Sequence, residues 1–263
     1  MTSHRFFSPI ARRTALVAGV LLSAAACSDD ATAPQPARVP SGISAVDNPD
    51  LASLVAISPV VDGKLSAGEY SNAAVIKFVA TLPPSALGTG RTPVNVFVTH
   101  DATYLYIATV FDRKAPFHPA DMVGYEFDND NDGVRENGDD VLITGASGVP
   151  NVVYPGADFY RWNNGVSNQG DNATGGTIDV ISAWGAVGTQ GVFETRHPLN
   201  SADDAHDFSI DLQNGAVTLG MEIMVSLELN PVGSGTFVHS FKPSATTYCQ
   251  LTIGKKITSV TCP

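Results

Sequence analysis

Basic residues are scarce in this chain. Lys and Arg total 15 against 26 Asp and Glu in 263 residues, a formal net charge of −11. An acidic surface of that size is repelled by phosphate backbones, so nucleic acid is not expected as a partner. Cysteine is nearly absent, with 3 residues, and a chain this long builds its core without a disulfide scaffold. Charged side chains make up only 16%, alongside 24 Gly and 17 Pro, a mixture that excludes coiled coil, collagen and a wholly disordered polymer. No G-x-S-x-G, H-E-x-x-H, P-loop or dinucleotide fingerprint is present. Long hydrophobic runs are missing as well. The most apolar stretch, residues 15–22, is shorter than the roughly 20 residues that cross a bilayer. What is present is 43% hydrophobic residues, enough for the core of one modest globular domain.

Residues 1–26 carry Arg5, Arg12 and Arg13, then the apolar run, then Ser23, Ala24, Ala25 and Ala26 before Cys27. This order reads as a secretion signal. Small residues abutting a cysteine resemble the lipobox of bacterial lipoproteins, which implies cleavage after residue 26 and lipidation of Cys27. Ser28 is not the Asp that retains lipoproteins at the inner membrane, so an outer-membrane or cell-surface location is expected, with plain secretion or a periplasmic location as the alternative. The lipid would be the only membrane contact. Removing residues 1–26 deletes three Arg and no acid, leaving 12 basic and 26 acidic residues and a net charge of −14. Cys249 and Cys262 remain, in a stretch that reads as two short strands around Gly254 and Lys255. An oxidising compartment suits a disulfide between them; the alternative is two unpaired thiols.

Residues 27–53 are Pro, Ala, Ser and Asp with little to bury, and read as a disordered tether. From residue 54 to 263 the pattern turns to short β-branched and aromatic runs punctuated by Gly, Asn, Asp and Pro. That pattern predicts an all-β, antiparallel β-sandwich. Residues 94–100 (VNVFVTH) alternate cleanly, and residues 104–111 (YLYIATVF) follow three turn residues, so the two form a hairpin. Further strands are expected at 75–79, 123–127, 141–144, 151–154, 177–182, 191–195, 221–229 and 236–241. Residues 156–176, rich in Gly, Asn and Asp, read as a long loop.

The clearest chemical signal follows Phe127. Calcium takes six to eight oxygens, and a D-x-D-x-D-G loop offers carboxylates at its first, third and fifth positions, a turn-forming Gly, and then a backbone carbonyl. Here these are Asp128, Asp130, Asp132, Gly133 and the carbonyl of Val134. Asp139 stands where the usual Glu would, and Glu136 or Asp140 would complete the shell. Strands flank the loop, so it is no EF-hand, and the ion's expected task is to fix a long loop. The alternative is a solvated acidic turn.

Three segments together resemble the family 9 carbohydrate-binding modules and the related DOMON-like sandwiches. They are VDGKLSAGEY at 61–70, the hairpin NVFVTHDATYLYIATVFD at 95–112, and GVFE at 191–194 with the later strand GMEIMVSLEL at 220–229. The resemblance implies a jelly-roll or immunoglobulin-like sandwich and a non-catalytic carbohydrate ligand. Sugar binding needs flat rings that stack on C–H faces and polar groups that read hydroxyls. Trp162 lies beside Tyr160, Arg161, Asn163 and Asn164, a composition suited to such a surface. Trp184 is either a second stacking ring or core. Glu194 is expected to turn inward and bond backbone amides. DOMON relatives also bind haem, for which Met122, Met221 or Met224 with His100 or His239 would be needed, although Met221 and Met224 fall on opposite strand faces. His197 and His206, with the acids around them, read as a structured polar loop rather than a metal centre, because they lack helical i, i+4 spacing. The reading is a calcium-stabilised carbohydrate-binding surface lipoprotein, with an adhesive or structural surface protein that binds protein partners as the rival.

Overall fold

The computed structural model describes residues 58–81, 90–113, 117–201, 203, 205–228, 237–242, 248–254 and 257–263. The expected signal segment 1–26, Cys27 and the expected tether 27–53 fall outside these residues. Among the described residues, fourteen strands follow in chain order. They are β1 (Ala74–Thr81), β2 (Arg91–His100), β3 (Tyr104–Asp112), β4 (Met122–Asp128), β5 (Asp140–Gly145), β6 (Tyr154–Pro155) and β7 (Ala157–Trp162). Then come β8 (Ser167–Gly170), β9 (Ile181–Val187), β10 (Gln190–Pro198), β11 (Val217–Glu228), β12 (Phe237–Lys242), β13 (Cys249–Ile253) and β14 (Ile257–Thr261). Among the described residues the only helical turns are two short 3-10 segments, Asp171–Ala173 and Leu212–Asn214.

Two antiparallel sheets result, as the alternation predicts. One runs β1-β2-β3-β10-β9-β6 and the other β14-β13-β11-β4-β5-β7-β8, with β12 also paired to β11. The β2–β3 hairpin forms at the expected place. Its turn is set by Asp101, whose Oδ1 accepts the amides of Thr103 at 2.7 Å and Tyr104 at 2.8 Å.

Alternate residues of each strand face the partner sheet. Val94, Val96 and Val98 of β2 meet Val123, Tyr125 and Phe127 of β4 and the odd-numbered apolar residues 219–227 of β11 in one buried cluster. Polar groups also cross between the sheets. Thr109 of β3 bonds the Tyr125 hydroxyl at 2.8 Å, and Thr144 of β5 bonds Ser182 of β9 at 2.9 Å, which in turn lies 3.2 Å from Thr195 of β10. The Cys249–Cys262 disulfide closes the terminal hairpin of β13 and β14.

One loop expectation and two strand expectations shift. The segment 156–176 contains the β7–β8 hairpin, because its inward positions include Asp158 and leave no apolar alternation to read. Strand 177–182 moves to β9, because the amides of Asp179 and Val180 donate to Asp158 Oδ2, at 3.2 and 3.4 Å, instead of to a ladder. Strand 151–154 shortens to β6, since Asn151 adopts a φ of 62° that ends extended backbone.

Candidate metal centres

The acidic loop grows out of the end of β4. Asp128, the last residue of that strand, is buried opposite Gly220 of β11, where a Cβ would come within 2.8 Å of the Asp128 Cβ. Glycine there makes room for the carboxylate. Asp128 Oδ1 accepts the Asp132 amide at 3.1 Å and Oδ2 accepts the Gly133 amide at 2.8 Å, so the side chain folds the loop back over itself. Asn131 and Gly133 take φ values of 58° and 83° to close the turn.

Oxygens of Asp128, Asp130 and Asp132 come within 4.8 Å of one another. That separation suits a shared calcium ion, whose ligands sit at about 2.3–2.6 Å. Burial outweighs the Gly133 and Asp132 amides and, with Asp130 adding to it, pushes Asp128 up to about 6. Val134 is exposed, and its amide donates to Asp132 Oδ1 at 2.6 Å. Glu136 is also exposed, and its pKa is raised by partial burial, with the fields of Asp130 and Asp132 adding to it.

Asp139 and Asp140 part company. Asp139 ties the loop's base, accepting the Asn129 amide at 3.3 Å on Oδ1 and the Glu136 amide at 2.9 Å on Oδ2. The Tyr248 hydroxyl lies 3.2 Å from the same Oδ2. Asp140 is the next residue on a strand, so its side chain takes the opposite face. The expectation that Asp140 completes the loop shell is therefore corrected: its carboxylate lies between the sheets, with Asp207 and His197.

The β7–β8 hairpin is docked on the acidic loop. The Gly138 amide donates to Arg161 O at 2.9 Å, the Arg161 amide to Asp139 O at 2.7 Å, and the Asn164 amide to Asn137 Oδ1 at 2.7 Å. The Arg161 guanidinium pairs with Glu126, which also receives Arg135. Asn163, Asn164 and Gly165 form the hairpin turn with φ values of 57°, 57° and 72°. Tyr160 is half-buried, its ring 4.6 Å from that of His206, and Asn163 is exposed. Trp162 ends β7; its side chain lies outside what is described.

Trp184 sits elsewhere. It is 6% exposed in β9, its indole N–H donates to Ser147 O at 2.9 Å, and its ring packs near Phe117. The stacking role for Trp184 is thereby corrected to core packing, since neither ring face meets solvent as a sugar would require.

Glu194 turns inward as expected. Its Oε2 accepts the amides of Asp62, Gly63 and Lys64 at 3.0, 2.7 and 3.2 Å, and its Oε1 accepts the Tyr70 hydroxyl at 3.1 Å. Gly63 has a φ of 78° and lies so close to the Trp184 carbonyl that no Cβ fits. This carboxylate therefore pins the first strand-free segment to β10, and burial holds its pKa up at about 7.

The segment around His197 and His206 holds more than a polar loop. His206 Nδ1 meets Asp203 Oδ1 at 2.6 Å, while His197 turns between the sheets toward Asp140, Asp179 and Asp207. Asp158 and Asp171, which no spacing rule singled out, also lie close to Asp207. In comparison with known proteins, no family model matches this chain and no curated protein matches it.

Proposed function

We propose that the protein is a non-catalytic, calcium-stabilised carbohydrate-binding module, carried on the bacterial cell surface by a lipid on Cys27. The observation that carries this reading is the docking of the β7–β8 turn on the acidic loop through Gly138, Asn137, Asp139 and Arg161. A cation at Asp128, Asp130 and Asp132 fixes that loop, and through it the position of Tyr160, Trp162 and Asn163. Trp162 supplies the stacking ring, and Asn163 and Asn164 read hydroxyls. Trp184 takes no part. The likeness of the 61–70, 95–112 and 191–194 segments to family 9 modules adds support.

The test is a glycan array probed with wild type, Trp162→Ala and Asp130→Asn/Asp132→Asn, with calcium and with chelator. Binding is expected for calcium-loaded wild type, with a loss of about tenfold or more in Trp162→Ala and on chelation. Absence of binding to every glycan would overturn the carbohydrate reading and leave the adhesive one.

A further inference from the structure

Where the two sheets face each other beside the polar chain of Thr144, Ser182 and Thr195, the interior changes from apolar to acidic. Asp140 begins β5, Asp158 lies in β7, Asp171 opens the 3-10 turn after β8, and Asp207 follows the β10 ladder. These segments are far apart in the chain. The fold nevertheless brings oxygens of Asp158, Asp171 and Asp207 within 4.8 Å of one another, and does the same for Asp140, Asp207 and His197 Nε2 or Nδ1.

Burial makes the arrangement costly as it stands. Asp140 and Asp171 are 0% exposed and Asp207 is 3% exposed. Both carboxylate oxygens of each of these three, and Oδ1 of Asp158, are sealed from solvent without a hydrogen-bond partner. Unsatisfied buried acceptors are rare in folded proteins, and each calls for a compensating group. The remaining oxygen, Asp158 Oδ2, accepts the Asp179 and Val180 amides at 3.2 and 3.4 Å, which leaves Oδ1 as the atom of that carboxylate without a partner.

The basic group that acts most strongly on Asp140 is His197. Its Nδ1 lies 2.8 Å from Pro198 O, which fixes that nitrogen as the donor. The Nε2 atom therefore faces Asp179 Oδ1 at 2.9 Å and Asp207 Oδ2 at 3.7 Å. An imidazolium answers one negative charge. It leaves the Asp158, Asp171 and Asp207 group unanswered.

We infer that Asp158, Asp171 and Asp207, with Asp140 beside them, bind a divalent calcium ion between the two sheets. The donors are hard carboxylate oxygens, which suit calcium better than the softer metals that prefer imidazole and thiolate. His197 acts as a fixed counter-charge at the rim. The ion would join β5, β7 and the 3-10 turn of one side to the segment that follows β10 on the other. This site is distinct from the Asp128, Asp130 and Asp132 loop, and it does not depend on what the module binds.

The experiment measures bound metal and melting temperature on the full chain after chelation and after reloading with calcium, magnesium, manganese or zinc. It compares wild type with Asp171→Asn, Asp207→Asn and the loop variant Asp130→Asn/Asp132→Asn. Calcium is expected to restore wild type and the loop variant, while Asp171→Asn and Asp207→Asn lose calcium affinity at this site by about 100-fold or more. These isosteric variants remove repulsion, so without metal they should melt no lower than chelated wild type. That keeps loss of binding separate from failure to fold. The inference is overturned if calcium binding by Asp171→Asn and Asp207→Asn matches wild type. It is equally overturned if only the loop variant loses calcium, or if zinc binds and calcium does not.

Discussion

At the scale of single residues, this protein places carboxylates where water cannot reach them and gives each a different answer. Glu194 is held by three backbone amides and a phenol, yet burial outweighs them and raises its pKa from 4.5 to about 7. A raised carboxylate pKa means that the folded state binds the proton more tightly than the unfolded chain. Stability is therefore favoured below about pH 4.5 and lost progressively as pH rises through about 7. Glu194→Gln removes that component, because an amide does not titrate. In chelated protein the denaturant midpoint of wild type should fall more steeply between pH 5 and pH 7 than that of Glu194→Gln; equal slopes would contradict the assignment. Glu194 was legible from sequence because a charged residue that follows the apolar pair Val192 and Phe193 in a strand must find donors. Asp171 was not, since nothing in a Gly- and Asn-rich stretch reveals which acid will be buried.

At the scale of elements, the register of β4 on β11 sets Glu126 directly opposite Glu222 on the outer face. Like charges at that spacing oppose pairing, and Arg135 from the acidic loop bridges the two, with Arg161 from β7 also on Glu126. Burial keeps Glu222 up at about 7 in spite of Arg135. Arg135→Met should cost about 2 kcal/mol by urea denaturation, below the cost of breaking a fully buried pair because Arg135 is partly exposed. Adding Glu222→Gln should recover a substantial part of that loss in a double-mutant cycle. No recovery would mean that Arg135 acts by holding the loop rather than by separating the acids. The β2–β3 hairpin was readable because its inward positions are Val and its turn is an Asp. The β7–β8 hairpin escaped notice because its inward positions are Asp158 and Tyr160, so the period of two was there without the hydrophobic contrast that marks it.

At the scale of the whole molecule, the sandwich is held by two buried apolar clusters and a terminal disulfide, against the cost of the acids buried between the sheets. The Cys249–Cys262 bridge closes a loop with a sequence separation of 13. Its loss should lower stability by about 3 kcal/mol in the chain-entropy model, read as a shift in urea midpoint with and without reductant. An unchanged midpoint would show that the β13–β14 ladder suffices on its own.

Composition and alternation by themselves determined an antiparallel, all-β body, the hairpin at 94–111 and the acidic loop, because each depends on neighbours within a strand or a turn. Only the tertiary structure decided that Trp184 is core, that Asp139 and Asp140 serve opposite faces, and that Asp140, Asp158, Asp171 and Asp207 converge. Whether a carboxylate ends in water or among other carboxylates depends on which sheet covers it. That covering is made by segments from distant parts of the chain, so no local spacing encodes it.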